Sequence, residues 1–325
     1  MLLINEKKID CRDLVHSDLP GISVLLALRQ RLFDRWLAAQ GRKFWDKNWL
    51  MPNEEVHART AKAVLEELPL AVGRLGGVEA SILMWAEGLA NFQPPLCRLF
   101  SDTRSGAMNA GIRPRNKESY RVFAALCRGA MAGLDLQGVW SSGYEAVCIG
   151  KGVQREFFNV EITGPDGANP KHWLCSLQGK RVLVVSPFDG TIEKQIQRLA
   201  EVWPQSTWMT GTDFCSVPFP YLIDEGCPET WWEVYSRIGK IVSAGNYDVA
   251  LFGCGGLGLP FAHLAKKAGR VGIHLGGHLQ LVFGIYGKRH IEQDWHRQHI
   301  NEAWVRPGAA EVAKTASRVE GGCYW

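Results

Sequence analysis

Apolar runs and amphipathic segments alternate through the second half of the chain. Residues 181–188, 247–253 and 271–277 are short and mostly apolar, and each run is followed by a segment that suits a helix. Runs of this length predict strands that are buried on both faces. Strands that alternate with helices are typical of a parallel sheet. The pattern therefore predicts an α/β fold, with a Rossmann-like layered parallel sheet and helices on both faces.

The first half of the chain predicts mainly helices. Apolar positions recur at helical spacing in three segments, at residues 22–40, 54–67 and 117–131. The first of these has arginines beside its apolar positions, so it suits either packing on its own domain or a peripheral contact with an acidic membrane surface. We favour packing, because most amphipathic helices cover their own core.

Two strands are expected among these helices, one just before Gly76 and one at residues 136–140. Residues 150–179 contain several glycines and prolines and suit a connector. We therefore predict an N-terminal helical extension over residues 1–66 and an α/β domain over residues 67–325. The halves of that domain would span about residues 67–165 and 175–325.

Composition excludes some classes of function. The 37 Lys and Arg residues against 33 Asp and Glu give a net charge of +4, which is too balanced to indicate a nucleic-acid partner. Nine scattered cysteines without a Cys-x-x-Cys pair suggest reduced thiols in a cytoplasmic protein. No signal-peptide pattern and no run of 18 apolar residues is present, so we expect a protein without a membrane span.

The segment Gly253-Cys-Gly-Gly-Leu-Gly258 has the glycine pattern of a nucleotide-binding turn. It follows a predicted strand and precedes a predicted helix, and glycine lets the backbone approach a phosphate closely. Gly253, Gly255, Gly256 and Gly258 are therefore candidate phosphate contacts. A tight turn that is needed only for packing remains the alternative, and His274 stands where a dinucleotide fold would have an acidic residue for the ribose.

The next strand ends in His274-Leu-Gly-Gly-His278. Ligands of open α/β sheets bind at this carboxyl edge, where a histidine can contact a phosphate or act as a base. His274 and His278 are thus candidate catalytic residues, and Gly276 and Gly277 are candidate phosphate contacts. Structural histidines are the alternative, and a metal is less favoured because the turn breaks the helical spacing.

Arg74-Leu-Gly-Gly-Val-Glu79 forms a second strand–turn–helix junction. Arg74, Gly76 and Gly77 could contact a phosphate at the positive end of the helix that follows. Glu79 could bind a metal or a sugar hydroxyl, or serve as a base. A glutamate in a first helical turn also simply complements the helix dipole, and the residues alone leave this choice open.

Two cations further along the chain, at positions 288 and 289, complete the candidate phosphate site. Lys288 and Arg289 could neutralise a diphosphate, although a solvated basic turn explains them nearly as well. Arg104, Asn109 and Arg113 lie in a polar, glycine-containing segment and are candidates for a lid over the pocket. We favour the interpretation that this segment is an ordinary surface loop.

Together these motifs resemble a family of bacterial polysaccharide-cluster proteins related to GT-D-fold glycosyltransferases. The resemblance covers about residues 68–325, and its motifs lie at residues 73–79, 182–188, 248–258, 274–289, 304–307 and 320–325, the last ending in Gly-Gly-Cys-Tyr-Trp. It implies a GT-D-like α/β domain and a transferase that uses a nucleotide sugar.

The family's first motif looks like Arg-Phe-Gly-Asp-Gly-Glu, whose Asp-x-Glu pair serves the nucleotide-sugar diphosphate and its metal. Arg74, Gly76 and Glu79 match this motif, whereas Gly77 stands in place of the aspartate. The resemblance therefore implies a divalent metal, Mn²⁺ or Mg²⁺, bound by Glu79, and the missing aspartate puts that metal in question. His274 likewise replaces an acidic residue at a strand end.

The favoured hypothesis is a cytoplasmic glycosyltransferase that moves a sugar from a nucleoside diphosphate donor to a glycan or lipid-linked acceptor in surface polysaccharide synthesis. A nucleotide-binding oxidoreductase and a non-catalytic nucleotide-sugar-binding subunit are the alternatives. The transferase hypothesis requires the turns near Gly77 and Gly258 to lie over the same crevice. The donor base, the acceptor and the oligomeric state stay open.

Overall fold

Seven parallel strands form one sheet in the computed structural model, which describes residues 22–45, 49–87, 103–149, 156–167, 169–208, 210–224, 226–319 and 321–325. The strands are β1 (Leu70–Arg74), β2 (Leu136–Val139), β3 (Glu156–Asn159), β4 (Arg181–Ser186), β5 (Asp213–Pro218), β6 (Val249–Phe252) and β7 (Val271–His274). Their order across the sheet is β3-β2-β1-β7-β6-β4-β5. This confirms the predicted Rossmann-like α/β class.

Helices cover the sheet and connect its strands. They are α1 (Ile22–Phe44), α2 (Asn53–Leu65), α3 (Gly77–Glu87), α4 (Thr103–Met108), α5 (Lys117–Ala132), α6 (Gly143–Ile149), α7 (Asp189–Ile196), α8 (Leu199–Val202), α9 (Trp231–Ala244), α10 (Gly258–Lys267), α11 (His278–Val282), α12 (Lys288–Glu292) and α13 (Asp294–Arg297). Short 3₁₀ segments include Val160–Thr163, Trp173–Leu177 and Gly255–Leu257. None of the helices within the described ranges combines the length and apolar character that a membrane crossing needs.

The interior of the sheet is buried on both faces, as the apolar runs of β4, β6 and β7 predict. Successive side chains of a strand point to opposite faces. In β4, Leu183 and Val185 join one apolar cluster, whereas Val182 and Val184 join the cluster on the other side. The sheet therefore separates two cores.

The two halves of the sheet meet where β1 lies beside β7, with Val72 opposite Ile273. β7 also pairs with β6 in parallel. Because all strands are parallel, their carboxyl ends lie at the same edge of the sheet. The glycine turns that follow β1, β6 and β7 are therefore neighbours, and in open α/β sheets this edge is where ligands bind.

The N-terminal helix α1 packs on the α/β unit. Phe33 and Leu37 are buried in one of the two cores, and Leu37 O lies so close to Gly143, the first residue of α6, that a Cβ there would collide with it. This contact agrees with the favoured interpretation of the amphipathic segment. The division at residue 66 stays a prediction, as does a membrane contact.

Several elements were not predicted, among them β3, β5 and α9. The expected connector at residues 150–179 contains β3, which lies at one edge of the sheet, and β5 lies at the other edge. Edge strands bury less surface, and the alternating exposure of β5 gives only a weak apolar signal. Helix α9 was also missed, although Thr230 and Glu233 form a capping box at its start.

Candidate functional site

A cavity of about 470 Å³ opens at the carboxyl edge of the sheet. Gly76 and Gly77 after β1, Gly253 and Gly255 after β6, and Gly276 and Gly277 after β7 all line it. Its other walls come from the segments 109–111, 140–144, 186–188 and 219–223 and from Tyr324 and Trp325. The turns near Gly77 and Gly253 thus share one cavity, whereas Gly258, at the helix start that the transferase hypothesis places over the same crevice, does not line it.

Arg74 is the last residue of β1 and lines this cavity. Its guanidinium carbon lies 4.9 Å from the ring centroid of Trp140, a cation–π distance. A Cβ on Gly276 would collide with Arg74 Nη2, and Gly276 has a positive φ of 56°. Burial lowers the pKa of Arg74, and the nearby charge of Arg289 lowers it further. A guanidinium remains charged at neutral pH in spite of this shift.

Arg289 lines the cavity beside Gly277, the next residue of the same turn. Its guanidinium carbon is 4.7 Å from the ring centroid of Tyr324. A Cβ on Gly277 would lie 3.2 Å from Arg289 Nη1 and 2.9 Å from Tyr324 Cε1. Two guanidinium groups therefore flank two consecutive glycines. Lys288, the other predicted cation, is exposed and lies outside the cavity wall, with its Nζ 4.0 Å from Glu292.

Glu79 is the only acidic residue among the described residues that line the cavity. Its carboxylate folds back over Gly76, where a Cβ would collide with Oε2. A first-turn glutamate in this position complements the positive helix end. Within the described ranges, no three His, Cys, Asp or Glu side chains come together as metal ligands do. The residues around Glu79 thus do not form the ligand set that a divalent metal needs.

The Gly253–Gly258 turn is largely bonded to its own chain. The amide of Gly253 donates to Val185 O at 3.0 Å, and the amide of Gly256 donates to Ala110 O at 3.2 Å. Gly258 lies so close to the ring of His274 that a Cβ at position 258 would overlap the ring. Packing therefore accounts for Gly256 and Gly258, while Gly253 and Gly255 still line the cavity.

His274 lies at the cavity wall but is only 7% exposed. Burial lowers its pKa to about 3, and the charge of Arg74 adds to this effect. The ring is therefore neutral at physiological pH and is a weak base there. Its Nδ1 is buried without a hydrogen-bond partner in the described part of the chain.

His278 points away from the cavity into a cluster of histidines. Its Nδ1 is hydrogen bonded to Thr163 Oγ1 at 2.9 Å, and its Nε2 lies 3.6 Å from Glu161 Oε2. The ring centroid of His296 is 5.9 Å away, and that of His290 lies 5.3 Å from His296. The four-residue spacing of His274 and His278 thus does not bring both rings into the cavity.

The candidate lid contributes only in part. Asn109 lines the cavity, and the neighbouring carbonyl of Ala110 covers the glycine turn. Arg113 lies outside the wall and donates to Ile223 O at 3.3 Å. Arg104 belongs to α4, and its side chain lies outside the described residues.

A loop after β2 contributes wall residues that the sequence analysis missed. Trp140 is 45% exposed on the cavity wall, and Ser141 has a positive φ of 56°. Glu145 is 1% exposed and accepts hydrogen bonds from the amides of Trp140 at 3.0 Å and Ser142 at 2.8 Å. The Ser-x-x-Glu spacing of Ser142 and Glu145 is a capping-box signal that could have identified this loop.

Aromatic residues from distant segments form the opposite wall, where Phe188, Phe219, Tyr221, Tyr324 and Trp325 line the cavity. Trp325 Nε1 donates to Glu311 O at 2.8 Å, and the amide of Arg289 donates to Cys323 O at 3.1 Å. The segment 321–325 thus docks on the fold.

No protein-family model, no curated protein and no solved structure matches this chain.

Proposed function

We propose that the protein is a glycosyltransferase that binds a nucleoside diphosphate sugar in this cavity. The supporting observation is that the guanidinium groups of Arg74 and Arg289 flank the Gly276–Gly277 turn at the carboxyl edge of the sheet. The acceptor in this proposal is a glycan or a lipid-linked glycan.

The size and charge of the cavity suit such a donor. Pockets for small molecules and cofactors usually measure about 300–1,000 Å³, and this cavity has about 470 Å³. Arginine binds phosphate oxygens through two parallel hydrogen bonds. The first-turn amides of α3, at Gly77 and Val78, have no backbone acceptor within the helix and favour an anion at its positive end.

Sugar transfer breaks the bond between the anomeric carbon and the diphosphate oxygen and forms a bond to an acceptor hydroxyl oxygen. Negative charge develops on the departing diphosphate, and fixed positive groups stabilise that charge. In this proposal Arg74 and Arg289 perform this task. Glu79 accepts the proton of the acceptor hydroxyl. His274 contributes to the wall as a neutral ring, and His278 keeps the neighbouring Glu161 in position.

A non-catalytic nucleotide-sugar-binding subunit is the second candidate. One observation favours it: Glu79 folds back over Gly76, as a residue that only caps a helix does. The oxidoreductase alternative has less support. The Gly256 amide already donates its hydrogen bond to Ala110 O, and β7 ends in His274 instead of an acidic residue that could bind a ribose.

A thermal-shift panel tests these candidates. The full chain is heated with nucleoside diphosphate sugars that differ in base and sugar, and separately with NAD and NADP. We expect stabilisation by a nucleotide sugar, because a ligand that binds only the folded state raises Tm. Stabilisation by NAD or NADP alone would refute the proposal. Release of free nucleoside diphosphate in the presence of an acceptor then distinguishes a transferase from a binding subunit.

A further inference from the structure

The two cavity arginines are held in place by packing. Arg74 stacks on the Trp140 ring and lies against Gly276, and Arg289 stacks on the Tyr324 ring and lies near Gly277. Guanidinium groups stack well on aromatic faces and keep their donors in a fixed plane. The packing of the fold thus holds the two positive charges at this turn in fixed positions.

The carboxylates near these arginines are already engaged in local contacts. Glu79 folds over Gly76, and Glu161 lies 3.6 Å from the Nε2 of His278. Glu145 is buried and accepts the amides of Trp140 and Ser142. A hard divalent cation needs several oxygen ligands. Among the described residues of this cavity it would meet one wall carboxylate, and the two guanidinium charges would repel it.

We infer that the cavity binds its nucleoside diphosphate without a divalent metal, with the Arg74 and Arg289 guanidinium groups in the role that the cation has in the transferases this chain resembles. This inference rests on the proposed function. Two guanidinium charges equal the charge of one divalent cation, so the diphosphate is neutralised to the same extent. The glycine at position 77 is consistent with this arrangement, because no aspartate is required there.

Isothermal titration calorimetry tests the inference on the full chain. UDP, GDP, ADP and CDP are titrated in the presence of EDTA and again with Mn²⁺ or Mg²⁺. We expect at least one of them to bind with an affinity that changes less than about threefold between the two conditions. Binding that requires the metal would overturn the inference and leave the proposed function intact. No binding in either condition would overturn both.

Matched variants test the arginines. Arg289→Ala should weaken nucleoside diphosphate binding in EDTA by about tenfold to a hundredfold, the range expected for a charge-assisted pair. Lys288→Ala is the control, because Lys288 is the adjacent exposed cation outside the cavity wall. It should change the affinity less than twofold.

Circular dichroism and the Tm of each variant confirm that the fold is retained. Arg74→Lys provides a second variant, since it keeps the charge and loses the planar fork. We expect weaker binding in this variant too, and added Mn²⁺ should not restore it. Full affinity in Arg289→Ala, or equal losses in Arg289→Ala and Lys288→Ala, would contradict the inference.

Discussion

The guanidinium carbon of Arg74 lies 4.9 Å from the ring centroid of Trp140. This contact joins the end of β1 to the loop after β2, two neighbouring strands of the sheet. It fixes one of the two cavity cations with an indole that remains 45% exposed. Because Trp140 is partly exposed and contacts Arg74 at the cavity wall, its substitution tests the role of this contact.

Trp140→Ala should weaken the binding of a nucleoside diphosphate by about threefold to thirtyfold, because a cation–π contact contributes about 0.5–2 kcal/mol. The Tm should change little, since the side chain is only partly buried. Trp232→Ala is the control, as Trp232 is similarly exposed on α9. Calorimetric titration measures the nucleoside diphosphate affinity of both variants. Equal affinities would mean that Trp140 does not contribute to binding.

Gly276→Ala should reduce the same affinity by about tenfold or more, because its Cβ would displace the Arg74 guanidinium. It should also cost about 1–2 kcal/mol of stability, owing to the positive φ. Gly269→Ala is the matched control: Gly269 has a φ of 75° and nothing within 4 Å of its Cβ position. We expect it to lose stability only. Denaturant unfolding separates this shared backbone cost from the loss of binding.

Glu79→Gln should lower the turnover of a nucleotide sugar by about a hundredfold or more, the usual effect of removing a general base. Glutamine keeps the size of the side chain, so the fold and the binding of the diphosphate should persist. Glu118→Gln is the control, since Glu118 occupies the first turn of α5 and is exposed. Product release, followed by chromatography, should be unchanged in the control. Full turnover in Glu79→Gln would limit Glu79 to a capping role.

Acid should destabilise the fold through its buried histidines. Burial lowers the pKa of His274 and of His290 to about 3. The unfolded chain takes up protons near pH 6.5, whereas the folded chain does not. Stability is therefore complete above about pH 6.5 and falls as the pH drops toward 3.

His290→Gln should reduce the slope of unfolding free energy against pH by about 1.4 kcal/mol per pH unit between pH 6 and 4. Urea unfolding at several pH values measures this slope. At neutral pH the variant should lose some stability as well, because His290 Nδ1 accepts the Gly287 amide at 2.9 Å. An unchanged slope would mean that His290 is protonated in the fold.

The sequence predicted the central strands β4, β6 and β7, because strands buried on both faces have continuous apolar runs. It missed β3 and β5, whose edge positions leave weaker patterns. Those two strands are recognised only through pairing partners that are distant in the sequence.

For the site, the glycine turns were predictive because they mark local backbone geometry. Arg74 leaves no room for a Cβ at Gly276, and this contact joins two residues that are 202 positions apart in the sequence. Local spacing could not reveal it. The same limit explains why His278 was grouped with His274, although only His274 lines the cavity.

The amide of Arg289 donates to Cys323 O, and the amide of Lys288 donates to Trp325 O. The chain thus holds a cavity cation and a cavity aromatic through the same short ladder of backbone bonds. Detachment of residues 323–325 would therefore remove a cavity aromatic and, with it, two backbone bonds that position the start of α12 and its arginine.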